Sequence, residues 1–446
     1  MNIWRIGGIS LAAAALLTAC GGGSDDPPAR GALLSGYLFA QVPIAQIDAA
    51  TAASGAQALT GPAMCDVDVR YIRYSTRAPG GQEVRASAGV LVPSGSAPAC
   101  NGQRPVVLYA HGTATSKSKN MALVSTDTEA ALMMAMYAAQ GFIVVAPNYI
   151  GYDGSFDWHP YLNAESQATD MIDSLRAAKS HLASTGGTSA SDKLLISGYS
   201  QGGHVAMATQ REIESKYASE FTVTAAGPMS GPYNLVGTID VAVGPGPIPA
   251  GAVLFAPFLL TSYQFSYGDI YSSTSTVYQP PYDATSENLL PNDLPVDELI
   301  AQGKLPPDPT FTKLFGPGGL LTDGFRADYA TSAFRAGLEN NTMLGWTPQH
   351  AMALCGGAQD PTIFYSVNTP VAQADFASRG VPVPAFDLED RATLPPGPLG
   401  DALYGGFQQA KAAAGANVQA QYHGTLVPPF CSALVRGFFQ QVLVAP

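Results

Sequence analysis

The sequence predicts an α/β fold on a mostly parallel sheet, from three observations. Continuous apolar runs at Pro105–Ala110, Phe142–Ala146 and Leu194–Ser197 read as strands buried on both faces. Helical spacing lies between them, as in Ala164, Ala168, Met171, Ile172, Leu175 and Leu182. Alternating strands and helices pair their strands in parallel, because each crossover must pass over the sheet. The third strand then runs straight into a Gly-x-Ser-x-Gly turn.

In chain order, Val67–Thr76 and Val84–Pro93 read as a leading hairpin around the Ala78–Gly81 turn. The run Pro105–Ala110 follows, then a helix over Thr128–Gln140, the strand Phe142–Ala146 and the amphipathic helix from Ala164. The strand Leu194–Ser197 enters its own helix near Gln201, and Phe221–Ala226 is the next strand. From about Gly231 to Trp346 the pattern gives way to Pro, Gly, Ser and Tyr with apolar helix-like patches, which predicts an inserted, largely helical cap over 232–345. Strand-like sequence resumes at Ala351–Cys355 and again at Val418–Tyr422, and Pro429–Leu443 reads as a closing helix. The core is thus expected over 61–231 and 346–446.

The 446 residues are 46% hydrophobic, ample for a large core, and only 13% charged. A net charge of −12 without a Lys/Arg cluster excludes a nucleic-acid partner, because nothing would neutralise phosphates. At the N-terminus, Arg5 precedes an apolar stretch, Ile6–Ala19, too short to span a bilayer comfortably. Its end, Leu17-Thr18-Ala19-Cys20, resembles a bacterial lipoprotein signal, which implies a signal peptide over 1–19, acylation of Cys20 and a membrane anchor. Residues 20–60 are expected to be a flexible tether. Four further cysteines remain, an even number in an exported chain. Of the three possible pairings, Cys65–Cys100 and Cys355–Cys431 are favoured.

A serine at a sharp strand-to-helix turn needs neighbours without side chains, here Gly198 and Gly202, and then presents its hydroxyl at the top of the sheet. Ser200 is therefore the candidate nucleophile. A hydroxyl is weak unless a base, an orienting acid and an oxyanion hole converge on it. The α/β-hydrolase order of nucleophile, acid and base leaves three histidines. His204 lies one turn past Ser200, and His350 precedes its strand. His423 follows the run Val418–Tyr422 and is the candidate base. Asp360, on the loop after Ala351–Cys355, is the candidate acid; Asp387 and Asp390 are rivals in a Pro-rich insertion. The backbone N–H of Gln201 is one expected oxyanion donor. The second is that of Thr113 in His111-Gly112-Thr113, where Gly112 allows close approach.

These segments resemble the secretory lipase family of α/β-hydrolases. The likeness rests on His111-Gly112-Thr113, Asn148–Tyr152, His159-Pro160-Tyr161, Gly198–Gly203, Gly356–Asp360 and His423-Gly424. It runs from about Val67 to the C-terminus. It implies carboxylic-ester hydrolysis with no metal and no cofactor, a helical cap over an acyl pocket, and Ser200, Asp360 and His423 as triad. The substrate would be a small-molecule or lipid ester. The same machinery would serve a peptidase, a polyester depolymerase or an acyltransferase. A surface lipoprotein that only binds ligands is the non-enzymatic alternative.

Overall fold

The computed structural model describes residues 28–444. The expected signal peptide, Cys20 and the Gly-rich start of the tether lie outside the described residues. Ten strands form one sheet among the described residues: β1 (Leu33–Val42), β2 (Asp66–Arg77), β3 (Glu83–Ser94), β4 (Gln103–Ala110), β5 (Ile143–Pro147), β6 (Ser189–Tyr199), β7 (Val223–Met229), β8 (Ala351–Met352), β9 (Leu354–Gly356) and β10 (Ala385–Asp387). The spatial order is β1-β2-β3-β5-β4-β6-β7-β9-β10, with β8 also on β7. The pairs from β1 to β5 through β2 and β3 are antiparallel. From β5 through β4, β6, β7 and β9 to β10 every pair is parallel.

The apolar runs became central strands because both faces are covered. Val107 and Leu195 belong to one buried cluster and Leu108 and Ile196 to another, as alternating side chains require. The helices Ala164–Thr185 and Gln201–Lys216 cover the second face, and Val427–Val444 covers the first. Truncating one such core residue to Ala costs about 2–5 kcal/mol. Asn163 and Asp127 start their helices by accepting from the N–H groups of Ser166 and Ala130.

Two expectations fail. Residues 33–60 are no tether: they form β1 and the helices Ile44–Ser54 and Gln57–Thr60. The chain is held there because β2 offers a free edge to β1, and because Asp48 and Asp66 accept from the N–H groups of Ala63 and Ile44. Val418–Tyr422 is no strand either. Val418–Gln421 is helical and Tyr422–Leu426 is a π-helical turn. The short alternation Val-Gln-Ala-Gln-Tyr fits either period, and the sheet edge it would have joined is taken by β10.

Between β7 and β8 the chain forms helices Leu235–Val243, Ala252–Tyr267, Val296–Ala301, Asp323–Asp328 and Ala333–Asn341. They share an apolar cluster that includes Phe258, Leu260, Leu299, Leu320 and Leu338. His204, on the helix after Ser200, hydrogen-bonds the Asn341 carbonyl at 2.7 Å and so ties this segment to the core.

Disulfides join Cys65 to Cys100 and Cys355 to Cys431, across 35 and 76 residues. Closing loops of these lengths in the unfolded chain stabilises the fold by roughly 4 and 4.5 kcal/mol on the chain-entropy estimate. Replacing Cys355 and Cys431 together by Ser is therefore expected to lower the thermal midpoint by more than replacing Cys65 and Cys100. Calorimetry of the two double variants checks the order.

Candidate active site

β6 ends at Tyr199 and the helix begins at Gln201, so Ser200 alone makes the turn. It does so at φ 58°, a left-handed conformation that costs a non-glycine residue about 1–3 kcal/mol. The turn is held by Ser200 N–H donating to the Met229 carbonyl at 3.0 Å. The glycines are needed for space. A Cβ on Gly202 would lie 1.9 Å from the Ala110 carbonyl oxygen, and one on Gly198 would lie 2.2 Å from that of Gly202. Gly203 is as crowded, 2.4 Å from the Met229 oxygen, and its role escaped the motif. Gly112 is different: a Cβ there would sit 3.4 Å from the Tyr199 oxygen, an ordinary contact, so close approach does not demand glycine.

The three candidate residues meet. His423 Nε2 lies 2.8 Å from Ser200 Oγ, and its Nδ1 lies 2.6 Å from Asp360 Oδ2. The other carboxylate oxygen of Asp360 accepts from the N–H groups of Thr362 and Ile363 at 2.9 and 3.0 Å. The carboxylate is thus clamped to its own loop and can only present Oδ2 to the imidazole. With the ring proton on Nδ1, Nε2 is free to accept from the serine. Tyr199 OH donates to the His423 carbonyl at 2.5 Å and fixes the backbone of the turn.

The rivals stand elsewhere. Asp387 is largely buried on β10 and accepts from Ala358 and Glu389 N–H. Asp390 caps the turn Arg391–Thr393, and His350 pairs with Glu214.

The N–H groups of Gln201 and Thr113 have no acceptor among the described residues, whereas that of Gly112 is taken by Glu129 Oε1 at 2.9 Å. The same oxygen accepts from Tyr109 OH at 2.9 Å, and Lys119 bridges Glu129 and Asp127. Thr113 Oγ1 lies 2.9 Å from Tyr161 OH. His111 stacks on Tyr149 with centroids 4.1 Å apart, its nitrogens facing the Gly112 and Asn148 carbonyls. His159 donates from Nδ1 to the Ile150 carbonyl and accepts at Nε2 from the Gln201 amide, 2.7 Å each. Burial pulls its pKa down to about 3, so this acceptor role survives acidification.

Sequence reading missed a second support. Glu389 binds Lys411 Nζ and accepts from Tyr422 OH at 2.7 Å, and Lys411 also reaches Gln359 Oε1. These contacts tie the loop of Asp360 to the turn of His423 through residues 20 to 60 positions apart, which no local spacing reveals.

An apolar cavity, partly open to solvent, runs between the core and the inserted helices. Its lining includes Tyr161, Leu235, Ala256 and Phe325, and also Thr362 and Ile363, whose N–H groups hold Asp360. A second groove, open and polar, is lined by Thr113, Thr115, Ser118, Lys119 and Asp127. Among the described residues, no cluster of His, Cys, Asp and Glu could hold a metal ion.

Residues 116–252 match the model of the secretory lipase family. Solved structures add longer matches. A ligand-bound form of the rice cell wall degrading esterase LipA from Xanthomonas oryzae is 30% identical, with a TM-score of 0.76 over 92% of this chain and 98% of that one. A putative hydrolase from Legionella pneumophila, 22% identical, shares the fold with a TM-score of 0.73 over 92% and 98% of the two chains. Candida antarctica lipase A, 14% identical, does so at 0.55 over 80% and 77%. No curated protein matches.

The tie between core and inserted helices carries a pH signature. Burial pulls the His204 pKa from 6.5 to about 4. The unfolded chain takes up its proton below 6.5 while the folded chain does not, so this contribution is present above 6.5 and lost as pH falls through 4. It amounts to roughly 3 kcal/mol. Urea unfolding is expected to show the wild type losing that much more stability than His204→Gln between neutral pH and pH about 4. Parallel losses would contradict it.

Proposed function

The chain belongs to the secretory lipase family of α/β-hydrolases, and from that premise we propose that it is a serine carboxylic-ester hydrolase working through an acyl-enzyme on Ser200. The observation that carries the reading is the unbroken chain of hydrogen bonds from Ser200 through His423 to Asp360, at 2.8 and 2.6 Å. As Oγ attacks the ester carbonyl carbon, its proton passes to His423 Nε2, and Asp360 stabilises the imidazolium. The carbonyl oxygen becomes an oxyanion facing the free N–H groups of Gln201 and Thr113. Collapse breaks the bond to the alkoxy oxygen, which leaves with the Nε2 proton. Water then attacks the acyl-serine, gives a proton to Nε2 and releases the acid, and Ser200 recovers its hydrogen.

In this reading residues 232–345 are a cap, and the apolar cavity under them takes the acyl chain. Its wall is almost free of polar atoms and reaches the loop of Asp360. The polar groove that begins at Thr113 suits a hydroxyl-bearing alcohol portion. The Xanthomonas relative is described as degrading rice cell walls; esters of polar alcohols are accordingly the first substrates to try. Export and a lipid anchor on Cys20 complete the proposal. Among the described residues no helix is long and apolar enough to cross a membrane.

Ser200→Ala is expected to lower hydrolysis of short p-nitrophenyl esters by at least about a thousandfold with the fold intact; equal activity would overturn the reading. A fluorophosphonate probe should label the wild type at Ser200, and a folded protein that resists it would point to a binding protein instead. Glu129 is expected to hold the loop of Thr113 rather than touch substrate. Glu129→Ala should reduce kcat by about 10- to 100-fold with KM nearly unchanged, and Glu129→Gln should restore part of it. Ala256→Phe, which fills the cavity, should depress kcat/KM for long-chain esters and spare acetates.

A further inference from the structure

β1 is an edge strand that carries the wrong side chains for water. Nine large hydrophobic side chains are exposed among the described residues, and four of them, Leu34, Tyr37, Leu38 and Phe39, fall within six positions of this one strand. They are 39 to 52% exposed. Scattered exposed apolar residues are ordinary, but a cluster of this kind marks a contact surface.

Two partners could cover it, and the register decides between them. A second copy of the chain would pair with the open backbone row of β1. That pairing needs a regular strand, and β1 is interrupted twice, between Leu33 and Ser35 and between Leu38 and Ala40. Leu34 and Phe39 are the extra residues at those shifts. Bulges of this kind blunt an edge against strand addition while pushing side chains outward.

A lipid surface asks for something else: apolar and aromatic side chains at its level, with cations beside them when the headgroups are anionic. Both are present. The register sets Ser35 opposite Arg73 and Tyr37 opposite Tyr71, and sets Ser75 opposite Arg85 on the next strand. Tyr37, Arg73 and Arg85 therefore share one face of the sheet, while Leu38, opposite Arg70, lies on the other, so the apolar side chains wrap the edge and the arginines flank it on one side. Both arginines are exposed and make no ion pair among the described residues, in a chain whose net charge is −12. The chain leading into β1 also fits. Cys20 lies 13 residues before Leu33, a span of at most roughly 45 Å when extended. An anchor there would keep this edge at the bilayer.

We propose that the β1 edge is a membrane-docking surface for an anionic lipid bilayer, with Leu34, Tyr37, Leu38 and Phe39 entering the interface and Arg73 and Arg85 meeting the headgroups. This contact is separate from acylation of Cys20, so it is tested without the acyl chains. The chain beginning at Gly21 carries every described element and is mixed with vesicles of phosphatidylcholine, with and without phosphatidylglycerol. It is expected to co-sediment with the anionic vesicles. The variant Leu34→Ser/Tyr37→Ser/Leu38→Ser/Phe39→Ser should weaken binding by at least about tenfold. Leu38→Ser alone should give a smaller loss, which keeps the test decisive if the fourfold variant folds poorly. Arg73→Gln/Arg85→Gln should remove most of the preference for phosphatidylglycerol, about fivefold per arginine. Hydrolysis of a soluble short-chain ester should be unchanged in all three. Wild-type protein that stays in the supernatant, or variants that bind as it does, would overturn the proposal. So would sedimentation velocity showing a lipid-free dimer that the β1 substitutions dissociate, since the partner would then be a second copy.

Discussion

The structure depends on how closely the turn at Ser200 is pressed between the ends of β4 and β7. The Ala110 carbonyl sits where a side chain on Gly202 would be, and the Met229 carbonyl sits where one on Gly203 would be. A wider turn would relax the φ of 58° at Ser200, but it would also draw the serine away from both neighbours. Because the packing is this tight, one residue is brought beside the loop after β4 and beside the loops that leave β7 and β9. The strain at Ser200 is offset by the parallel ladders on either side, which continue to Gly198 against β4 and to Tyr199 against β7.

Around that turn the molecule separates two kinds of histidine. His111, His159 and His204 are buried, hydrogen-bonded to backbone carbonyls, and pushed by burial towards the neutral form. They hold loops: the one after β4, the one after β5 and the inserted helices. His423 instead has a carboxylate on one nitrogen and a hydroxyl on the other. The segment between Asp360 and His423 takes part in this division. Its strand β10 and the residues Asp387, Glu389 and Lys411 hold the acid loop and the histidine turn at a fixed separation.

Much of this was legible in the residues. Buried runs such as Pro105–Ala110 announce central strands by their shortness, their β-branched residues and the helical spacing between them, since an apolar run alone also fits a buried helix such as Ala252–Tyr267. Gly-Tyr-Ser-Gln-Gly after such a run announces the turn. His423 was reached from its place in chain order, although the strand expected before it is a helix and a π-helical turn. The edge role of β1 was hidden because its partner β2 starts more than twenty residues later, and Glu129 and Glu389 were hidden for the same reason. Their targets, Gly112 and Tyr422, are brought to them only by tertiary folding. Local spacing reports on helices, strands and tight turns, not on a carboxylate that reaches across the sheet.

The central claim is that Ser200 carries the acyl group. The direct measurement is rapid quenching of the reaction with a p-nitrophenyl ester in acid, followed by mass spectrometry of the intact chain and of its peptides. The account predicts a burst of nitrophenol close to one equivalent per active site, and an acyl adduct on the peptide that contains Ser200. Steady turnover with no burst would leave the question to the adduct, since acylation can be the slow step. An adduct on any other residue, or hydrolysis that persists undiminished when Ser200 is alkylphosphonylated, would contradict it.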